Sequence, residues 1–147
     1  MTTVEVKIVN QSPFPLPHYT TEGASGMDVR AHVQEPLIMQ PMQRVLVPTG
    51  LFVELPMGYE MQIRPRSGLA IRHGITCLNT PGTIDSDYRG EIKIILINLS
   101  SEVYIIQPGD RIAQMVIQRV EKVAWAPVLS LTESDRREGG FGSTGKK

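Results

Sequence analysis

Between Gly82 and Ile92 the chain reads Gly-Thr-Ile-Asp-Ser-Asp-Tyr-Arg-Gly-Glu-Ile. Two carboxylates, a phenol and a guanidinium fall between the Pro81-Gly82 turn and the apolar run Ile92 to Ile97. A carboxylate held on a rigid turn can be aimed at a water molecule and take its proton as that water attacks an electrophile. Taken alone, Asp85-Ser86-Asp87 also describes an ordinary turn, because Asp and Ser favour turns. Arg66-Ser67-Gly68 has the composition of an anion cradle: a guanidinium fork, a hydroxyl, and a glycine whose backbone N–H can be approached closely. It equally fits a surface turn ahead of one turn of helix. Near the end of the chain, Phe141 stands among glycines, with Arg136 upstream and Ser143-Thr144 downstream. A ring on flexible flanks can close over a nucleobase, a stack worth roughly 1–3 kcal/mol; composition alone fits a solvated linker as well. Two further polar groups, Ser25-Gly26-Met27-Asp28-Val29 and Gly109 to Gln114, also sit on or beside turns.

These groups need stiff elements to hold them, and the pattern points to short strands. Val4 to Val9 alternates apolar and polar residues, as a half-buried strand does. Extended runs recur at Arg44–Val47, Leu51–Leu55, Tyr59–Arg64, Ile75–Leu78, Glu91–Ile97, Glu102–Ile106 and Arg111–Val120. Turn signals separate them at Pro48-Thr49-Gly50, Pro56-Met57-Gly58, Pro81-Gly82 and Pro108-Gly109-Asp110. Such punctuation predicts an all-β sandwich, barrel or jelly roll. Ser67 to Arg72 is predicted as one helical turn. Ile112, Met115, Val116 and Val120 also fit a helical stripe, but the β-branched content and the preceding turn favour a strand. Ile92 to Ile97 is apolar on both faces apart from Lys93 and so needs cover on both sides, one of which another subunit could supply.

The chain has 147 residues, most simply one domain with a single core. Its 15 Lys+Arg balance 15 Asp+Glu, which leaves no global field for nucleic acid or an anionic membrane. An anionic ligand must therefore be held by a local cluster. The lone Cys77 allows no intrachain disulfide and reads as a small buried hydrophobe. The three histidines have no metal spacing, Trp125 beside Pro127 reads as a packing residue, and the methionines read as core filling. No basic, apolar leader opens the chain, and the longest apolar run is too short to span a bilayer, so the expectation is a cytoplasmic protein without a membrane partner. From Arg136 glycine takes over, dividing residues 1–135 from a flexible arm, 136–147.

In this order the five polar segments resemble the homotrimeric dUTPase family over about Gly23 to Gly145. Asn79 with Gly82 to Glu91, and Gly139 to Gly145, are the most specific matches. The resemblance implies a jelly-roll-like distorted β-barrel with a flexible C-terminal arm, assembled as a homotrimer with active sites shared between subunits. It implies Mg²⁺-dependent hydrolysis of dUTP to dUMP and pyrophosphate, clearing dUTP from the nucleotide pool and supplying dUMP for thymidylate synthesis. By position, Asp85 takes the role of general base. Asn79, Thr83, Ile84 and Lys93 match the uracil and deoxyribose pocket, and Tyr88 the ring under the sugar that excludes a 2′-hydroxyl. Arg66, Ser67, Gly68 and Gln114 match phosphate binders. Asp28 matches an acid that reaches the metal only through water, the ion being held mainly by the triphosphate. Arg136, Phe141, Gly142, Ser143 and Thr144 match the arm that closes over the nucleotide. Arg137 stands where the family usually has Gly, and Ser25 and Val29 replace the commoner Ala and Leu.

Two other readings compete. A deaminase on the same fold would act on dCTP and release ammonia, but relies on a glutamate in another segment. A non-catalytic β-sandwich module would bind nucleotide without turnover, yet no polar group of the pocket is missing.

Overall fold

The structure, a computed structural model, describes residues 3–146. These form an almost entirely β molecule. The strands are β1 (Lys7–Asn10), β2 (Met27–Arg30), β3 (Leu37–Met39), β4 (Arg44–Pro48), β5 (Leu51–Glu54), β6 (Tyr59–Arg64), β7 (Ile75–Cys77), β8 (Gly82–Ile84), β9 (Lys93–Asn98), β10 (Tyr104–Ile106) and β11 (Arg111–Arg119), with one short helix, α1 (Ser67–His73), among the described residues.

Four antiparallel sheets wrap a single core. One carries the order β2-β11-β6-β8, a second β4-β9-β7, and two ribbons pair β1 with β5 and β10 with β3. β-Branched and long apolar side chains alternate inward. On β9, Ile94, Leu96 and Asn98 are buried, while Ile95 and Ile97 face the other way and are only half covered. Asn98 is tolerated inside because its Nδ2 donates to the carbonyls of Met39 (3.0 Å) and Glu102 (2.8 Å) and its Oδ1 accepts from Ser100 N and Oγ. Thr49, the other buried polar side chain, donates to the Ile92 carbonyl at 2.6 Å. Together with Ile92 N donating to Leu51 O (2.8 Å), this bond pins the far end of the Gly82–Ile92 hairpin to the core.

The expected all-β architecture stands, with local corrections. The first strand begins at Lys7, not Val4. Strands β2, β3 and β8 were not expected as strands. β2 carries Asp28 and Arg30 on its outer face with Val29 buried between them, so charge masks it, and β3 and β8 are three residues each. The expected helical turn extends to His73 and stops at Gly74, whose φ of 64° suits glycine and whose N–H returns to Ala70 O at 3.0 Å. Cys77 is buried as expected. Trp125 does not pack on its own chain: it is 88% exposed in an extended segment after β11. Met39, Met61 and Met115 fill the core, but Met42 and Met57 lie on the surface.

Candidate active site

The phosphate-type residues come together. Gln114 is the midpoint of a row across the sheet, paired with Asp28 of β2 on one side and Arg64 of β6 on the other. Gly26 makes room for it, since a Cβ there would meet Gln114 Oε1 at 3.3 Å and Val116 Cγ2 at 3.2 Å. Past Arg64, the chain stays extended through Arg66 before turning into α1, which sets Arg66 beside Asp28, with Ser67 and Gly68 opening the helix. Arg66 Nε lies 3.0 Å from Asp28 Oδ1, yet it is buried without a hydrogen-bond partner, so this is a charge contact whose N–H points elsewhere. The same guanidinium donates from Nη1 to the Arg111 carbonyl at 3.2 Å. The other Asp28 oxygen accepts from Arg111 Nη1 at 3.4 Å. Below α1, the His73 ring rests on Tyr104 at 5.0 Å. Burial pushes the Tyr104 phenol up, Asp110 adds to that shift, and Arg66 partly offsets it.

The Asp85 hairpin is built separately. Gly82, Thr83 and Ile84 pair with Ile63, Gln62 and Met61. Asp85 follows at the open end, exposed, with its carbonyl accepting from Tyr88 N at 3.2 Å. Tyr88 folds back so that its hydroxyl donates to the Glu91 carbonyl at 2.9 Å. Gly90 permits this: a Cβ there would stand 2.4 Å from Tyr88 Oη. Arg89 Nη1 donates to the Ser86 and Tyr88 carbonyls at 2.7 and 3.1 Å, tying the loop to itself. Asn79 Nδ2 lies against Gly82 at the start of the hairpin. Lys93 opens β9, its Nζ 3.8 Å from Glu91 Oε2, while Glu91 Oε1 accepts from Gly50 N at 3.0 Å.

The two halves lie apart within one chain. Gly82 is level with Ile63, and Asp85 is one step beyond the Met61–Ile84 pair. Arg66 lies past Arg64 in the other direction, roughly 20 Å from Glu60 along extended chain at about 3.3 Å per residue. The arm is separate again. Arg136, Phe141, Gly142, Ser143 and Thr144 occupy consecutive tight turns, Phe141 is fully exposed, and the hydrogen bonds of this stretch among the described residues are local.

Residues 12–145 match the family model for dUTPase. The chain belongs to the dUTPase family. Proteins named deoxyuridine 5′-triphosphate nucleotidohydrolase are similar to it along nearly their whole length. That of Fusobacterium nucleatum subsp. nucleatum is 54% identical, covering 99% of this chain and 100% of the relative. That of Cytophaga hutchinsonii is 60% identical, covering 98% and 94%. Among solved structures, the dUTPase of Staphylococcus bacteriophage 80alpha with dUPNHPP superposes with a TM-score of 0.85 at 24% identity, over 97% of this chain and 99% of the other. The dUTPase of phage phi11 of S. aureus, described with a structural Mg(II) ion, gives 0.77 at 19% identity over 88% and 99%. These neighbours carry the jelly-roll-like fold.

Among the described residues no cluster of His, Cys, Asp or Glu is arranged to grip a metal ion. Asp28 gives one contact from each oxygen to a guanidinium, which leaves carboxylate lone pairs free for water. The residues present thus fit an ion carried by a polyphosphate and met through water, not one caged by protein. Arg111 joins this cluster through Asp28, and in the sequence only its place in the Gly109–Gln114 segment marks it. No described helix is long and apolar enough to cross a membrane.

Proposed function

We propose that this chain hydrolyses dUTP at the α-phosphorus, giving dUMP and pyrophosphate, in a site completed by neighbouring copies of itself. The observation that carries this reading is the separation of the two halves. The cradle of Asp28, Arg66, Ser67, Gly68 and Gln114 and the Asp85–Tyr88 hairpin sit at opposite ends of one sheet, although one reacting nucleotide needs both. A closed ring of three copies meets that need, since a head-to-tail interface sets one end of a subunit against another end of the next.

Exposed apolar surface supports the assembly. Val123, Trp125, Val128, Leu129 and Leu131 all project from the extended segment after β11 without cover. Leu46, Ile38 and Ile105 are likewise exposed on β4, β3 and β10. Uncovered apolar side chains in such number mark an interaction surface.

In this site the Asn79, Thr83, Ile84 and Lys93 region receives uracil and deoxyribose. The Tyr88 ring, held by its bond to Glu91, packs under the sugar and leaves no room for a 2′-hydroxyl. Asp85 orients the attacking water and accepts its proton as the new P–O bond forms. The bond from the α-phosphorus to the bridging oxygen breaks, and pyrophosphate leaves. Arg66, the Ser67 hydroxyl, the Gly68 N–H and Gln114 hold the phosphates. Positioning and charge neutralisation supply most of the remaining catalysis. A Mg²⁺ ion carried by the triphosphate would supply charge neutralisation, and Asp28 would hold it through water. Arg136, Phe141, Gly142, Ser143 and Thr144 close over the nucleotide with the ring on uracil. The setting is the cytoplasm.

Pyrophosphate release from dUTP, dTTP, dCTP and UTP, with and without a chelator, tests the reading. Turnover confined to dUTP and lowered roughly 10²–10⁴-fold by Asp85→Asn is expected for loss of a positioned base. Full turnover in that variant removes Asp85 from the role. Ammonia released from dCTP would instead favour a deaminase.

A further inference from the structure

We propose that Tyr104 is a positioning residue for the phosphate cradle: its ring is the seat that fixes α1, and with it Arg66, Ser67 and Gly68, against the sheet. The proposal rests on the dUTP reading above and adds to it what holds the cradle still.

The helix has little of its own to hold it. Seven residues are well below the roughly 12–15 at which an isolated helix is even marginally stable, so contacts with the rest of the molecule must place it. None of its side chains is fully buried, and Ile71 is 85% exposed. Leu69, in the first turn, packs against the core. One such contact leaves the helix free to roll about it. The second contact is aromatic, at the other end: the His73 ring meets Tyr104 with centroids 5.0 Å apart and planes tilted by 43°.

Tyr104 is itself well fixed. It stands on β10 level with Met39, which is fully buried, and its partly buried ring packs against the core. Ile106, two residues on and on the same face of the strand, is fully buried. The phenol also lies within charge reach of the head of the helix: burial pushes it up, Asp110 adds to that shift, and Arg66 opposes it. Asp110 is held in turn, its Oδ2 accepting from Gln107 N at 2.7 Å. One ring therefore answers to both ends of the stretch from Arg66 to His73.

Arg66 depends on such support. Its Nε is buried without a hydrogen-bond partner, and its hydrogen bond among the described residues runs from Nη1 to the Arg111 carbonyl at 3.2 Å. A helix rolled off its seat would carry this guanidinium, the Ser67 hydroxyl and the Gly68 N–H away from the phosphates together. Such groups act only while packing locks them in place.

Calorimetric binding of α,β-imido-dUTP and of dUMP, with melting temperatures and steady-state hydrolysis of dUTP, tests the assignment. Tyr104→Leu removes the ring but keeps an apolar side chain in the seat. It is expected to weaken the imido-triphosphate about three- to tenfold, the range of an aromatic pair, and to raise KM for dUTP in proportion. Binding of dUMP, which lacks the two outer phosphates, should be nearly unchanged. Tyr104→Phe keeps the ring and should bind both probes as the wild type does. His73→Ala removes the same contact from the exposed end of the helix and should show the same selective loss at an unchanged melting temperature. Because the two residues share one contact, the losses should not add in the double variant. Equal weakening of both probes by His73→Ala, or of neither, overturns the assignment even if Tyr104→Leu fails to fold. A Phe variant as weak as the Leu variant overturns the ring as the seat, and additive losses overturn the shared contact. A wild-type protein that binds neither probe and releases no pyrophosphate from dUTP overturns the functional reading itself. One that hydrolyses dUTP while the Tyr104 and His73 variants behave like it overturns the positioning role alone.

Discussion

At the scale of single residues, Tyr88 shows how tightly the hairpin is specified. Its ring stays in place through one hydrogen bond and one absent Cβ, that of Gly90. The obstacle to Gly90→Ala is the tip of a side chain, which can swing aside, so stability should fall by only about 1 kcal/mol, the net value of one hydrogen bond. On the proposed role of Tyr88, selectivity should suffer more, because a displaced ring would no longer close off the 2′ position. The ratio of kcat/KM for dUTP to that for UTP is expected to drop in this variant; an unchanged ratio takes Tyr88 out of sugar selection. Cys77 presents the opposite case of a residue with no chemistry to do. Burial pushes its thiol up to about 11, so the reactive thiolate is scarce at neutral pH and becomes abundant only as pH nears that value. The folded protein should therefore resist iodoacetamide at pH 8 and react fully once unfolded. Rapid alkylation of the native protein would contradict the packing around β7.

At the scale of elements, legibility followed local signals. The Asp85 hairpin was readable because Pro81-Gly82 and the apolar β9 bracket it. β8 was not, since three residues carry too little periodicity to register. The helix-like spacing of Ile112 and Met115 has a physical origin in the bulge of β11, which turns Ile112 and Ala113 both inward; Val116 is buried too, but outside the core cluster. For Trp125 the sequence shows that an indole wants cover, and its own chain does not supply it. The arm illustrates a further point. Its bonds are local, so truncation after Arg137 should leave the melting temperature nearly unchanged while turnover falls sharply. Undiminished kcat/KM for dUTP in the truncated protein would remove the arm from the site.

At the scale of the whole molecule, the question is where one complete site comes from. Every polar residue expected from the sequence is present, yet a single chain places them in separate regions: the cradle beside α1, the hairpin at the far end of β8, and the arm free of both. Half-covered Ile95 and Ile97 on β9, with the exposed apolar residues beyond β11, are apolar surface that the proposed trimer would cover. No feature of the sequence alone fixes that division, because it depends on strand register. The most direct test mixes two inactive variants, Asp85→Asn and Arg66→Gln, unfolded and refolded together, with mixed trimers verified by native mass spectrometry. If sites are shared, some pair an intact cradle from one chain with an intact hairpin from another, and random assortment restores about a quarter of the wild-type sites. Mixed trimers that hydrolyse dUTP no faster than the separate variants would contradict a site built between chains.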